Sequence, residues 1–217
     1  AAPDVFARLR YFYEQMPQLH VVATGSLLEF VLEEHDFSMP VGRIEYMHLG
    51  PLTFSEFLEA SGDRALFDLV EPHVPGEDFP VGIHSRLVDR LREFLVVGGM
   101  PESVRTYIDA GNHLSADRVR QSVLQTFTDD FAKYGEKVNR RHLLAAFQSI
   151  PRLIGQKIKY VNISRDIRAA DLERALHMLE LARLCYRAQH STAQGLPLAA
   201  QVNPKVCKPI SLDIGLV

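Results

Sequence analysis

The sequence predicts a mainly α-helical chain with a few short strands. Residues 81–97 place Leu87, Val88, Leu91, Phe94 and Leu95 on one face at helical spacing. Residues 115–134 repeat Val119, Val123, Phe127 and Phe131 every four positions, with Leu124 alongside. Beside these long amphipathic runs, the β-branched or alternating runs are few and short.

Val5 to Met16 reads as a helix that Pro17 ends, because proline cannot continue the hydrogen-bond ladder. His20 to Thr24 is a β-branched run closed by Gly25-Ser26, the pattern of a buried strand entering a tight turn. Leu27 to Glu34 reads as a short helix. Arg43 to Leu49 alternates as a second strand, which Gly50-Pro51 breaks. Thr53, with Glu56 three positions on, is a capping-box pattern, so a helix starts there and runs to about Ala60. Residues 63–80 hold a short helix and a loop with Pro72, Pro75, Gly76 and Pro80. Gly98-Gly-Met-Pro101 separates the 81–97 helix from another that reaches Ala110, and Gly135 to Lys137 marks a later boundary. Arg140 to Ile150 follows as a helix with Leu143, Leu144 and Phe147 inward. Lys157 to Ile163 alternates like a strand. Asp171 to Ala182 is a helix with Leu172, Leu176 and Leu179 inward, and Cys185 to Gln189 and Lys208 to Leu212 are two short strands. Helix, short strand, helix and strand pair is the order of a winged helix.

The 217 residues are 47% hydrophobic and 24% charged, the balance of a soluble globular protein and not of a disordered one. Apolar stretches such as Phe94 to Met100 fall far short of the ~18–20 residues of a membrane span. No basic-then-apolar segment opens the sequence as a signal peptide would. The two cysteines, Cys185 and Cys207, suit a reducing compartment better than a disulfide framework, so a cytoplasmic location is expected.

The net charge of −3 hides an asymmetry. From Glu29 to Asp78 there are twelve acidic residues and two basic ones; from Lys133 to Arg168 there are nine basic and two acidic. Opposite signs in two halves point to modules with different partners. The basic block suits nucleic acid phosphates. It equally suits a solvated face, or one docked on the acidic module. Its candidate contact residues are Arg140, Arg141, Lys157, Lys159, Arg165 and Arg168. The helix from Asp171 carries Asp171, Glu173, Arg174 and Glu180 and is net acidic, which argues against its deep insertion beside phosphates.

The sequence has no G-x-x-x-x-G-K-[S/T] phosphate loop, no C-x-x-C or H-x-x-x-H ligand pair and no G-x-S-x-G elbow. A strand ending in Thr24-Gly25-Ser26 puts hydroxyls at a sheet edge where α/β folds bind ligands. A serine there also serves simply as a helix cap. Arg43, between a glycine and a strand, is open to a structural or a ligand-sensing role.

Four segments taken together carry more. They are Val21-Val-Ala-Thr-Gly-Ser-Leu-Leu28, the run Gly42-Arg-Ile-Glu-Tyr-Met-His-Leu-Gly-Pro-Leu-Thr-Phe-Ser-Glu-Phe-Leu58, Gly98-Gly-Met-Pro-Glu102 and Pro209-Ile-Ser-Leu-Asp-Ile-Gly-Leu216. In this order the sequence resembles prokaryotic predicted ATPases of the AAA+ superfamily that carry a C-terminal domain of unknown function. The resemblance implies an internal fragment lacking the phosphate loop and the magnesium-binding acidic strand. It implies the C-terminal half of the ATPase core at 1–62, a helical lid at 63–135, and a winged-helix-like module with the start of the C-terminal domain at 136–217. ATP and Mg would be cofactors of the full-length parent and not of this fragment, which is expected to be inactive, with no catalytic residue assigned. Thr24, Ser26 and Arg43 match positions near the γ-phosphate and are nucleotide-sensing candidates. Other readings are a nucleic-acid-binding winged-helix module on a helical scaffold, and a protein-interaction adaptor. Self-association is expected, because the Val21 to Thr24 strand would lack its neighbours.

Overall fold

The computed structural model describes residues 4–24, 43, 45–74, 76–134 and 138–217. It is mainly helical with one two-stranded antiparallel sheet, as the periodicity predicts. In chain order the helices are α1 (Asp4–Gln15), α2 (Phe54–Ala60), α3 (Arg64–Val70), α4 (Val81–Val97), α5 (Pro101–Ala110), α6 (His113–Asp130), α7 (Arg140–Leu153), α8 (Tyr160–Ile163) and α9 (Ala169–Leu181). The strands β1 (Cys185–Ser191) and β2 (Val202–Ser211) follow, and a 3-10 turn at Ile214–Leu216 comes last.

Local chemistry sets most boundaries. Thr53 caps α2 with both bonds of the capping box: its side chain accepts from the Glu56 N–H, and the Glu56 carboxylate accepts from the Thr53 N–H at 2.7 Å. Those bonds from Thr53 hold the Glu56 carboxyl below its ordinary pKa. Pro101 opens α5 at the first turn, where its missing N–H costs nothing. Asn112 and Asn139 cap α6 and α7 through their side chains. The α7 helix runs past Ile150 through Pro151 to Leu153, because a proline in the last turns forfeits only one ladder bond.

Two shared cores organise the first half. Neighbouring residues Phe57 and Leu58 of α2 are both fully buried and enter different clusters. Phe57 packs with Val97, Val104 and Ala116, its ring 5.4 Å from Phe94 and 6.4 Å from Tyr107. Leu58 packs with Leu66 and Leu87. The buried stripe of α4 is rotated from the expected one: Leu87 and Val97 are buried, while Leu91 and Leu95 stay exposed. The largest core lies in the second half, where Phe131, Leu143 and Ile150 meet Leu176, Leu179 and Cys185.

The strands depart from expectation. Residues 21–24 and 45–50 are irregular and exposed, not strands. A strand exists only as part of a ladder, and among the described residues none pairs with either segment. The expected helix at Leu27–Glu34 and the boundary at Gly135–Lys137 lie outside the described residues. The expected strand from Lys157 is extended only to Lys159, with the Ile158 N–H on the Cys207 carbonyl at 2.9 Å, and then turns helical as α8. Tyr160 explains the turn: it packs on the main core and its hydroxyl donates to the Glu173 carboxylate. Burial and that bond push the Tyr160 hydroxyl pKa up. β1 and β2 pair from Cys185 opposite Ser211 to Ser191 opposite Val202, longer than the sequence predicts, with an irregularity between Gln189 and His190.

Arg187 of β1 ties the sheet to α9. Its guanidinium donates to Glu180 through Nε at 2.6 Å and to Glu173 at 2.6 Å. Burial alone would raise the Glu173 pKa, but the bonds from Tyr160 and Arg187 outweigh it and the net shift is downward. Burial pushes the neighbouring Cys185 thiol up to about 12, so it is an inert core residue.

The rotated α4 stripe makes a sharp contrast measurable by urea denaturation. Leu87→Ala, at a site 8% exposed, is expected to cost about 2–5 kcal/mol. Leu91→Ala is expected to cost about 0.5 kcal/mol or less.

Candidate functional site

Three of the four distinctive sequence segments converge on one joint. The loop between α4 and α5 brings Gly98 and Gly99 against the turn that follows β2. The Gly99 N–H donates to Asp213 Oδ2 at 2.5 Å, and Asp213 Oδ1 accepts from the Gly215 N–H at 2.8 Å. On its other side Gly99 offers its carbonyl to the Leu52 N–H at 2.6 Å. Leu52 immediately precedes the Thr53 cap, so α2, the α4–α5 loop and the C-terminal turn are bonded through consecutive backbone groups.

The glycines are required by approach distance. A Cβ on Gly98 would lie 2.3 Å from Asp213 Oδ1, and one on Gly99 would lie 2.2 Å from the Leu52 carbonyl oxygen. A Cβ on Gly215 would lie 2.6 Å from the Gly98 Cα. Gly98 also has φ 77°, a conformation that β-carbons disfavour. Just beyond, the buried Ser103 hydroxyl donates to the Val97 carbonyl at 2.8 Å and closes the end of α4.

Asp213 is 4% exposed. Burial raises its pKa above the ordinary carboxylate value. The N–H groups of Gly99 and Gly215, the Arg120 charge and the Leu216 N–H oppose that rise without cancelling it. Arg120 is itself held on Asp117 at 2.7 Å. A shallow apolar recess of about 220 Å³ lies beside the joint, lined by Leu52, Ala60, Pro101, Val104 and Ile108. Its two charged lining residues, Arg105 and Asp109, pair with each other at 3.6 Å. The joint therefore holds the chain together and offers no reacting groups of its own.

The residues singled out in the sequence fall elsewhere. Thr24 sits on the exposed irregular stretch, and Ser26 lies outside the described residues. Arg43 is 3.1 Å from Glu14 of α1, with both side chains about one-third accessible. In the basic block, Arg168 is 3.0 Å from Asp171, which Arg174 also approaches at 3.8 Å. Arg140 reaches toward the Thr128 carbonyl at 3.5 Å. Arg141, Lys157, Lys159 and Arg165 are exposed and have no acidic partner among the described residues. Among those residues, too, no ion pair joins positions 29–78 to positions 133–168; the acidic side instead pairs locally, as Asp63 does with Arg90 at 2.5 Å. The acids of α9 are likewise engaged, Asp171 by Arg168 and Arg174 and both glutamates by Arg187. Gly98, Gly99 and Asp213 stand within the distinctive segments, but nothing in the sequence shows that they meet. Their signal was the pairing of a Gly-Gly break with a distant Asp-x-Gly.

The joint gives two measurable outcomes. Gly99→Ala is expected to destabilise by about 1–3 kcal/mol, because the obstructing atoms are backbone. Gly111→Ala, at φ 64° with nothing within 4 Å, tests conformation alone, at about 1–2 kcal/mol. Chemical denaturation of both separates crowding from backbone strain. Asp213→Asn is expected to cost about 1–3 kcal/mol by leaving a buried N–H without an acceptor. Since the folded pKa of Asp213 is raised, the fold binds its proton more tightly than the unfolded chain does. The Asp213 contribution is therefore fullest below the ordinary carboxylate pKa and is lost as pH rises through the folded value. The difference in unfolding free energy between wild type and Asp213→Asn should shrink across that acidic window and level off at neutral pH.

Comparison with known proteins divides the chain on either side of α2 to α4. Residues 1–58 match the AAA domain, ending within α2 just past Leu52 and Thr53. Residues 88–217 match a domain of unknown function, DUF8612, which takes in most of α4, the Gly98-Gly99 loop, Asp213 and the sheet. No curated protein and no solved structure matches the chain. Because that second match spans more than half of the 217 residues, the chain belongs to the DUF8612 family, with AAA-domain sequence at residues 1–58.

Proposed function

We propose that this chain is the coupling portion of an ATP-driven AAA protein. In this reading residues 1–62 end the ATPase core, 63–135 form a helical lid and 136–217 form a winged-helix-like module with the start of a further domain. The observation that carries it is the joint. The last residues matched to the AAA domain are hydrogen-bonded, through Leu52 and Gly99, to the loop that Asp213 holds. A second tie supports it: Nε2 of His48 is 2.9 Å from the Arg183 guanidinium at the end of α9. Motion of the core would thus pull directly on the lid and on the C-terminal turn.

On this reading the chain alone is not expected to form a complete ATP site. The sequence has no phosphate loop, and Arg43 is engaged by Glu14. No step is assigned to nucleotide chemistry in this chain. Arg43 keeps a sensing role only in the longer parent, where release from Glu14 would free it to meet charge developing on a γ-phosphate. A second reading rests on the basic block: Lys157, Lys159, Arg141 and Arg165 present charge without acidic partners, which suits nucleic acid phosphates.

Two measurements test the first reading. Calorimetry of this 217-residue chain with ATP and magnesium should show no micromolar binding; such binding would sink the assignment. In the full-length parent, Arg43→Ala should lower kcat with little change in KM for ATP, as loss of a transition-state contact does. An unchanged kcat would leave Arg43 with a structural role, paired with Glu14.

A further inference from the structure

The sheet has two faces of opposite character. Toward the core, Cys185, Cys207 and Pro209 are buried, and Arg187 turns onto Glu173 and Glu180. Toward solvent, the alternate positions bring Tyr186 opposite Ile210 and Ala188 opposite Lys208. Tyr186 is 43% and Ile210 50% exposed, a half-exposed apolar pair. The 157–159 segment lies along β2, with Ile158 bonded to Cys207 and packed on the core. Alternation then turns its neighbours Lys157 and Lys159 outward, beside Lys208.

The charge of this face is one-sided. Neither β1 nor β2 contains an Asp or Glu. Glu173 and Glu180 lie beneath the sheet and are held by Arg187. Lys157, Lys159 and Lys208 are all exposed and have no acidic partner among the described residues. Among the described residues, no carboxylate supplies a counter-charge to these three lysines, and Tyr186 stands on the same outer face as Lys208.

We propose that this outer sheet face is a platform for single-stranded nucleic acid, with a base stacked on Tyr186 and phosphates on Lys157, Lys159 and Lys208. The proposal rests on the nucleic-acid reading of the basic block and gives that reading a location and a substrate class. A flat face with one ring and flanking lysines suits unpaired bases, whose π-faces are open, and not a duplex, whose bases are stacked internally. The helix that would enter a duplex groove offers less. The outward side of α9 shows Arg174 and His177, and Arg174 already leans on Asp171.

The test is fluorescence anisotropy with the whole chain and a labelled oligothymidylate of about 12 nucleotides. Binding is expected, weakening with salt at a slope of about −2 in log K against log salt, as three phosphate contacts on a single strand give. Tyr186→Ala should weaken it at least about fivefold while Tyr186→Phe, which keeps the ring, leaves it unchanged. Lys208→Glu should weaken it as well, Arg174→Ala should not, and a duplex of equal length should compete poorly. Loss of binding in the Lys157→Glu, Lys159→Glu double variant, with full binding in Tyr186→Ala and Lys208→Glu, would overturn the platform and leave the basic-block reading standing. No binding of single strand or duplex at low salt would overturn both. Displacement of the oligonucleotide by polyglutamate at equal charge would make the face a dock for an acidic protein and overturn the proposal.

Discussion

One carboxylate and three glycines join α2, the α4–α5 loop and the C-terminal turn. Asp213 accepts from the Gly99 N–H, and Gly99 in turn accepts from the Leu52 N–H. The first bond joins residues 114 positions apart, and both form only because Gly98, Gly99 and Gly215 let backbones approach closer than a β-carbon permits. Interiors packed to this density transmit displacement instead of absorbing it. A shift of α2 would therefore reach the C-terminal turn through two consecutive hydrogen bonds.

The burial of Asp213 has a physical cost, visible in its raised pKa, and the N–H groups around it offset that cost only in part. Such a group is retained where its geometry specifies an arrangement that apolar packing would leave loose. Phe57 and Leu58 act in the same sense. Adjacent on α2, they enter separate clusters, so the short helix is fixed in rotation as well as position.

The second half is held by a different device. Arg187 gathers Glu173 and Glu180, two turns apart on α9, and Tyr160 completes the shell around Glu173. This draws the acids of α9 under the sheet and leaves the outer face to the lysines. The sequence asymmetry between an acidic and a basic block is partly cancelled by residues in or near each block. Asp63, Glu59 and Asp68 find arginines nearby, while Lys157 and Lys159 keep their charge without an acidic partner among the described residues where 157–159 meets β2.

The sequence by itself determined the longer helices, because their causes are local, and missed the one-turn α8. The Thr53–Glu56 capping box, Pro101 at a first turn and the Leu172, Leu176, Leu179 spacing each act within a few residues. It also marked the segments that meet at the joint, without showing that they meet. Tertiary structure decided what depends on a partner. The runs at 20–24 and 43–49 have strand composition, but a strand needs a ladder, and the described parts of both are irregular. The rotation of α4 that leaves Leu91 and Leu95 exposed follows from where α2 and α5 pack, which spacing along one helix does not encode. The roles of Asp213 and Arg187 were hidden for the same reason: hydrogen bonds to groups distant in sequence give a carboxylate or a guanidinium its function, and no local pattern records those distances.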